Sequence, residues 1–487
     1  MASRHVNDRR RIFAIVISLF ALVAAPHPAL AHGRLKSSTP ASGAHLSVIP
    51  RDLRFDFSEV PDLNFSKIEL YGPDNQPVVV GPLAYTAESK RSVVVRIGPT
   101  LAPGVYIVRW QLAGDDGHPV RGQFDFVVAP GSMSMGVAPD GQAGPGRPGA
   151  LQPGSDTLAM HHDPASMPEG NGFGAESVVY VLIRWLQFIA LLLVIGTAVF
   201  RHFVLAFLRG GDMAESPMLE DAEGRAARLG SLATGALLVT LVVRLIAQSY
   251  AMHGASGAWN VTFSVQMIRE TFWGKGWLLQ LVGVAIAGTG FYLAARRRDA
   301  RTLGWRLATL GAVLLAFFPA FSGHAIAAPR LRSLAVIADG LHVLGASGWL
   351  GSLAVVLVVG LPCAMRLGVT QRGPMVAKLI NAFSPTALAG SAIAVSSGVF
   401  AAWLHVGRIP NLWGTRYGVT LLVKLGVLGI VALTGFYNWR FVKPRLGSDG
   451  ATGHLRRSAR VEVVVAIVVL LVTAVLVALP TSMDMVM

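Results

Sequence analysis

The feature that most constrains this chain is a run of apolar blocks divided by short stretches rich in Arg and Lys. Each block is about the 20 residues that a helix needs to cross a bilayer. From residue 176 onward eight blocks are expected to span: 177–200, 229–249, 273–295, 305–322, 333–360, 382–403, 417–440 and 461–480. Only 14% of the residues are charged, where a soluble protein carries about a quarter. The formal charge is +15. The cations sit between the apolar blocks, so they fit membrane topology, and a nucleic-acid partner is discounted.

The first 31 residues read as a secretory signal. Arg9, Arg10 and Arg11 precede an apolar stretch from Ile12 to Ala25, too short to span comfortably. Ala29-Leu30-Ala31 is a small-residue cleavage site, and cleavage after it makes His32 the new N-terminus. That places the next segment outside. The loop charges agree: with residues 32–175 outside, the inner loops carry 18 Lys and Arg and the outer loops 6. The expected location is the cytoplasmic membrane, crossed several times, with the N-terminal domain and the C-terminus on the periplasmic or extracellular side.

Residues 32–129 read as β structure. Leu53, Phe55 and Phe57 alternate with polar residues, as do Tyr106, Val108, Trp110 and Leu112. Pro and Gly clusters divide these runs. The expected fold is an all-β sandwich or Greek-key domain of cupredoxin or immunoglobulin type. Residues 130–175 are rich in Gly, Pro and Ser and read as a flexible linker. Residues 176–487 complete the chain as an all-α membrane bundle of about eight transmembrane helices.

The chain has one cysteine, Cys363. An internal disulfide and a site of several thiolates are therefore excluded, and metal chemistry falls to His, Met, Asp and Glu. A free N-terminal His32 offers its α-amine and its imidazole Nδ1 to one metal. Asp116 and His118 lie two apart in Asp116-Gly117-His118, which puts them on one side of an extended strand. Amine, two imidazoles and a carboxylate make a tetragonal set suited to Cu(II). The plainer alternative is a turn at Asp-Gly-His-Pro with His32 merely following the cleavage site. Here a resemblance enters. His32-Gly33-Arg34-Leu35-Lys36-Ser37-Ser38-Thr39-Pro40-Ala41, Leu53-Arg54-Phe55-Asp56-Phe57-Ser58-Glu59 and Asp116-Gly117-His118-Pro119-Val120 resemble the periplasmic copper-binding CopC family. The resemblance covers 32–129 and implies that His32, Asp116 and His118 bind Cu(II). Some CopC relatives carry a Met-rich Cu(I) loop, but residues 32–129 contain no Met.

Met and His cluster elsewhere. Met133, Met135, Met160, His161, His162 and Met167 lie in the linker, where core packing does not require Met. Thioethers select Cu(I), so these residues are candidate Cu(I) ligands beside the reading of incidental linker residues. Met483, Met485 and Met487 repeat the pattern in the tail. Met252 and His253, at the end of the second span, form a candidate receiving pair.

Ionisable groups within spans are costly and mark a pathway or a buried pair. His324 ends the fourth span, and Asp339 and His342 share a face of the fifth. These three, with Met252 and His253, are the candidate membrane copper pathway. Lys424 and Glu462 are expected to snorkel to the headgroups. His405 is a weaker candidate, and Arg244 is expected to pair with an acid. Ser322-Gly323-His324-Ala325, Asp339-x-x-His342 with Trp349-x-Gly351, Leu412-Trp413-Gly414-Thr415-Arg416-Tyr417-Gly418 with Lys424, and Glu462 resemble the CopD copper resistance family over about 176–485. A CopC-like domain fused to a CopD-like one is the arrangement of YcnJ-like proteins. The resemblance implies copper import and homeostasis, with copper ions, the lipid bilayer and other periplasmic copper carriers as partners, and no enzymatic activity. Rival functions are a haem-binding membrane redox protein of cytochrome b561 type, a histidine-brace oxidase, and external copper sequestration without transport. No P-loop pattern for nucleotide is present.

Overall fold

The computed structural model describes residues 35–58, 60–63, 65–98, 101–113, 119–134, 177–210, 216–255, 257–317, 319–322, 331–442 and 449–479. They fall into two compact units, one of strands and one of helices.

Nine strands build the first unit: β1 (Leu35–Thr39), β2 (Ala44–Ile49), β3 (Asp52–Phe57), β4 (Lys67–Tyr71), β5 (Pro77–Val78), β6 (Ala84–Tyr85), β7 (Ser92–Arg96), β8 (Gly104–Ala113) and β9 (Pro119–Ser134). One sheet runs β1-β3-β7-β6 and the other β2-β9-β8-β4-β5. Every pair is antiparallel except β2 with β9. Alternation sets the inner faces. Leu53, Phe55, Phe57, Val93 and Val95 of one sheet meet Ile68, Leu70, Tyr106, Val108, Phe124 and Phe126 of the other in a single core. Fully burying one such side chain contributes roughly 1.5–3 kcal/mol. Phe55 meets Phe124 with centroids 6.0 Å apart, and Phe57 meets Trp110 edge-on at 5.7 Å. Trp110 pairs in register with Gly122. A Cβ on Gly122 would stand 2.3 Å from the indole, so only glycine fits beneath it. The Tyr106 hydroxyl donates to the Ala102 carbonyl at 2.8 Å, a tie of the kind seen in Greek-key sandwiches.

The strand unit extends past the expected boundary at 129. β9 continues to Ser134 because, after a register shift between Leu46 and Val48, β2 pairs again through Val48 with Met133 and Ile49 with Ser134. Met133 is therefore a strand residue rather than a linker residue.

Among the described residues, nine helices of ten residues or more build the second unit: α1 (Val178–Arg209), α2 (Pro217–His253), α3 (Val261–Glu270), α4 (Phe272–Arg296), α5 (Arg301–Ala316), α6 (Arg332–Ala364), α7 (Val369–Val406), α8 (Arg416–Val442) and α9 (Asp449–Leu476). All the expected spans are present, and eight stretches are long and apolar enough to cross a membrane. Two ends differ. α2 and α7 begin roughly three turns before the apolar blocks do. Those turns are polar, and tertiary contacts hold the charges of α2. Glu223 is 3% exposed. It accepts from Arg201 Nε at 2.6 Å and also pairs with Arg209, both on α1. α3 was not anticipated, because it is amphipathic and only ten residues long. The Asn260 side chain caps it by accepting from the amides of Thr262 and Phe263.

Small residues set how closely α6 packs. A Cβ on Gly196 of α1 would lie 2.4 Å from the Gly351 backbone of α6, and one on Gly345 would lie 2.6 Å from the Ala394 backbone of α7. α6 widens into π-helical turns at Ser347–Gly351 and Val356–Gly360, the first at the contact with α1. Such turns recur at functional sites.

Two predictions concern this frame. Glu223→Ala leaves Arg201 and Arg209 without their shared carboxylate. It should lower stability by about 3–5 kcal/mol, the cost of breaking a buried pair. Thermal unfolding in detergent reads this, and an unchanged midpoint would refute the pairing as a fastener. In the strand unit, Asp56 accepts from the Ser92 hydroxyl at 2.5 Å and from the Ser37 hydroxyl at 2.9 Å. The Ser92 bond first, then the Ser37 bond, holds its carboxyl below the usual range. A lowered carboxyl stabilises the fold above its unfolded pKa, and that stability is lost as pH falls through the folded value. The protection factors of amides in β1, β3 and β7, taken against the slower intrinsic exchange in acid, should therefore fall on acidification. Asp56→Asn should flatten that dependence, and parallel pH profiles would contradict it.

Candidate metal pathway

The three residues expected to hold Cu(II), His32, Asp116 and His118, lie outside the described residues. What is described is their frame. β1 begins at Leu35, three residues after His32. β8 ends at Ala113 directly opposite Pro119, where β9 starts, and Asp116 and His118 belong to the five residues between. Met135, Met160, His161, His162, Met167 and His324 also lie outside the described residues.

Asp339 and His342 do come together, one helical turn apart on α6. They line a cavity of about 230 Å³ among α1, α6, α7, α8 and α9. Most of its wall is apolar, and the polar exceptions include Asp339, His342, His405, Tyr417, Lys424 and Thr473. Trp349, two turns along from His342, continues the same stripe of α6. The His342 ring is held firmly. Its Nδ1 lies 2.8 Å from the Ala394 carbonyl of α7. A carbonyl can only accept, so Nδ1 carries the proton and Nε2 carries the lone pair. This is the arrangement by which an outer partner orients a metal-binding imidazole. Gly398 makes room for the ring: a Cβ there would stand 3.1 Å from His342 Cε1.

Lys424 does not snorkel. It lies well inside α8 and lines the same cavity as Asp339. Among the described residues, no ion pair within 4 Å joins either of them to anything. Carboxylate and ammonium thus share an apolar chamber without direct contact. His405, at the end of α7, faces Tyr417 at the start of α8 with centroids 6.5 Å apart. Glu462 also fails to snorkel: it is 6% exposed and bonded to Asn438.

The pair Met252 and His253 takes a different position. Neighbours in sequence on a helix do not face each other. Met252 is buried, while His253 is half-buried and stacks on Phe263 of α3 at 4.5 Å. Its Nδ1 lies 3.3 Å from the Ser249 carbonyl. Neither residue lines the 230 Å³ cavity. A small cavity of about 30 Å³ adjoins the larger one, sharing Phe188, Leu191, Pro319 and Val477. Arg184, Gln187, Arg244 and Gln280 line it. Arg244 donates to Gln187 at 3.4 Å and lies over the Trp273 ring, while Gln187 donates to Gln280 at 3.0 Å. Among the described residues, no group of three or more His, Cys, Asp or Glu side chains forms a metal cage. The cavity brings the imidazole of His342 and the carboxyl of Asp339 close together, with His405 farther along its wall.

Comparison with known proteins adds three family matches. A CopC domain matches residues 35–129. A copper resistance protein D-like N-terminal domain matches 175–331, and copper resistance protein D matches 377–476. The copper transport protein CutJ of Bacillus subtilis is 26% identical over 485 residues, which is 97% of this chain and 78% of CutJ. Copper resistance protein C of Pseudomonas syringae pv. tomato is 32% identical over 105 residues, 20% of this chain and 82% of that protein. The crystal structure of CopC from Methylosinus trichosporium OB3b is 26% identical with a TM-score of 0.19, covering 20% of this chain and 95% of that one. This multi-pass membrane protein therefore belongs to the CopC family by its first domain and joins that domain to copper resistance protein D domains in one chain.

Proposed function

We propose that this protein captures copper outside the cytoplasmic membrane and carries it inward through the cavity that Asp339 and His342 line. That shared cavity, set among spanning helices, is the observation that carries the proposal. The similarity to a protein named as a copper transporter supports it. Signal cleavage and the loop charges put the strand domain and the C-terminus outside. The domains divide as a signal to 31, the copper-binding domain, a linker ending near 175 and the membrane domain. His32, Asp116 and His118 take Cu(II) in that outer domain. The Met and His residues of the linker, from Met135 to Met167, pass copper toward the membrane; their thioethers favour Cu(I), and that form requires an external one-electron reductant to act on the captured Cu(II).

The cavity does three things. His342 presents Nε2, and its bond to Ala394 holds the ring in place before the ion arrives. Asp339 supplies negative charge in surroundings where charge is strongly felt. Lys424 balances Asp339 while no metal is bound, and then repels the metal once it arrives. A conducting site must bind well enough to admit an ion and weakly enough to release it, and Lys424 supplies the second half. No step requires catalysis of a covalent reaction.

Copper uptake by cells tests this. His32→Ala should impair uptake at low external copper and spare it at high copper. His342→Ala and His324→Ala should impair it at both. Lys424→Met should raise the copper retained by the purified protein at least several-fold while slowing turnover. Equal uptake with and without the gene would leave external sequestration as the function, and a Soret band in the purified protein would favour a haem protein.

A further inference from the structure

Glu462 and Asn438 lie apart from the cavity and from every role assigned above. Glu462 belongs to α9 and is 6% exposed. Asn438 opens the π-helical turn that ends α8. The Asn438 Nδ2–H group donates to Glu462 Oε1 at 2.5 Å. Asn438 Oδ1 is buried and has no hydrogen-bond partner among the described residues.

The charges around this carboxyl are few. Among the described residues no cation lies within ion-pair distance of it. The helices packed on α9 bring no titratable side chain from Ile189 to Phe200 of α1, from Leu353 to Pro362 of α6 or from Leu379 to Leu404 of α7; the next along are Arg201 of α1, Cys363 of α6 and Lys378 and His405 of α7, with Tyr437 beside Asn438 on α8. On α8, Lys424 is roughly 21 Å along the helix from Asn438, and Arg440 is exposed. On α9 itself, Arg456, Arg457 and Arg460 are exposed.

An ionised Glu462 fits this setting poorly. A buried carboxylate without a cation is strongly disfavoured. It is also an acceptor only, so it offers nothing to Asn438 Oδ1. A protonated carboxyl carries one O–H donor. The acid and the amide then match face to face, with N–H to one carboxyl oxygen and O–H to the amide oxygen. That pairing satisfies the orphaned acceptor and leaves no net charge.

We propose that Glu462 holds a proton in the resting protein and that, with Asn438, it forms a proton-binding site linked to copper passage. The link builds on the transport proposed above; the site itself does not. Under the orientation proposed there, the pair lies at the inner end of α8 and α9. As one Cu(I) ion enters the chamber, one proton leaves Glu462 for the inner solution, so the net charge of the membrane domain is unchanged, and a proton from that solution returns to Glu462 as the ion departs inward.

Infrared difference spectra and copper uptake of the full-length protein in proteoliposomes test both parts. The protein should show a protonated-carboxyl carbonyl band that Glu462→Gln removes and Asn438→Leu shifts. Adding Cu(I) should release about one proton per ion in the parent and none in Glu462→Gln, while Glu462→Asp keeps the release. A band unchanged in Glu462→Gln would overturn the proton site. Equal proton release in that variant would overturn the link. A band present in a protein that takes up no copper would refute the transport proposal and leave the proton site standing.

Discussion

A carboxylate and an ammonium inside a bundle of membrane helices are the constraint on which the rest of this structure turns. Asp339 and Lys424 share one apolar chamber and do not touch. Each group is costly at such depth, and each lowers the cost of the other. Keeping them apart needs a rigid frame. Glycine contacts at Gly196 and Gly345 lock α6 between α1 and α7. The bond from His342 to Ala394 fixes the imidazole against α7. α1 is tied in turn to α9, where Arg184 and Trp185 donate to the backbone carbonyls of Ala474 and Ile467. The chamber is thus framed by helix packing around two opposite charges.

Where a property is local, the chain discloses it. Leu53, Phe55 and Phe57 alternate over a few residues, and the strand they form is the strand expected. The eight spans follow from apolar length alone. Asp339 and His342 follow from a spacing of three on one helix. What was hidden depends on distant partners. The polar start of α2 looks like loop until Arg201 and Arg209, on another helix, meet Glu223. Lys424 looked free to reach the headgroups, because nothing near it in sequence shows that α8 turns it toward Asp339, 85 residues earlier. The position of Glu462 is hidden in the same way, since Asn438 comes from the neighbouring helix.

The strand domain shows a division of labour between frame and ligands. Its core and its Tyr106 tie are built from residues that pack. Asp116 and His118 follow β8 and precede the paired stretch of β9, while His32 precedes β1, the edge strand of the other sheet. The packing residues and the three residues proposed as ligands therefore occupy different parts of the sequence.

The central claim is that copper passes through the chamber beside His342. Locating copper directly, by anomalous X-ray scattering from the copper-loaded full-length protein, tests it best. The account predicts a copper peak bonded to His342 Nε2 in the chamber, beside Asp339, in addition to copper in the strand domain. Copper confined to the strand domain, with the chamber empty at saturating metal, would contradict it.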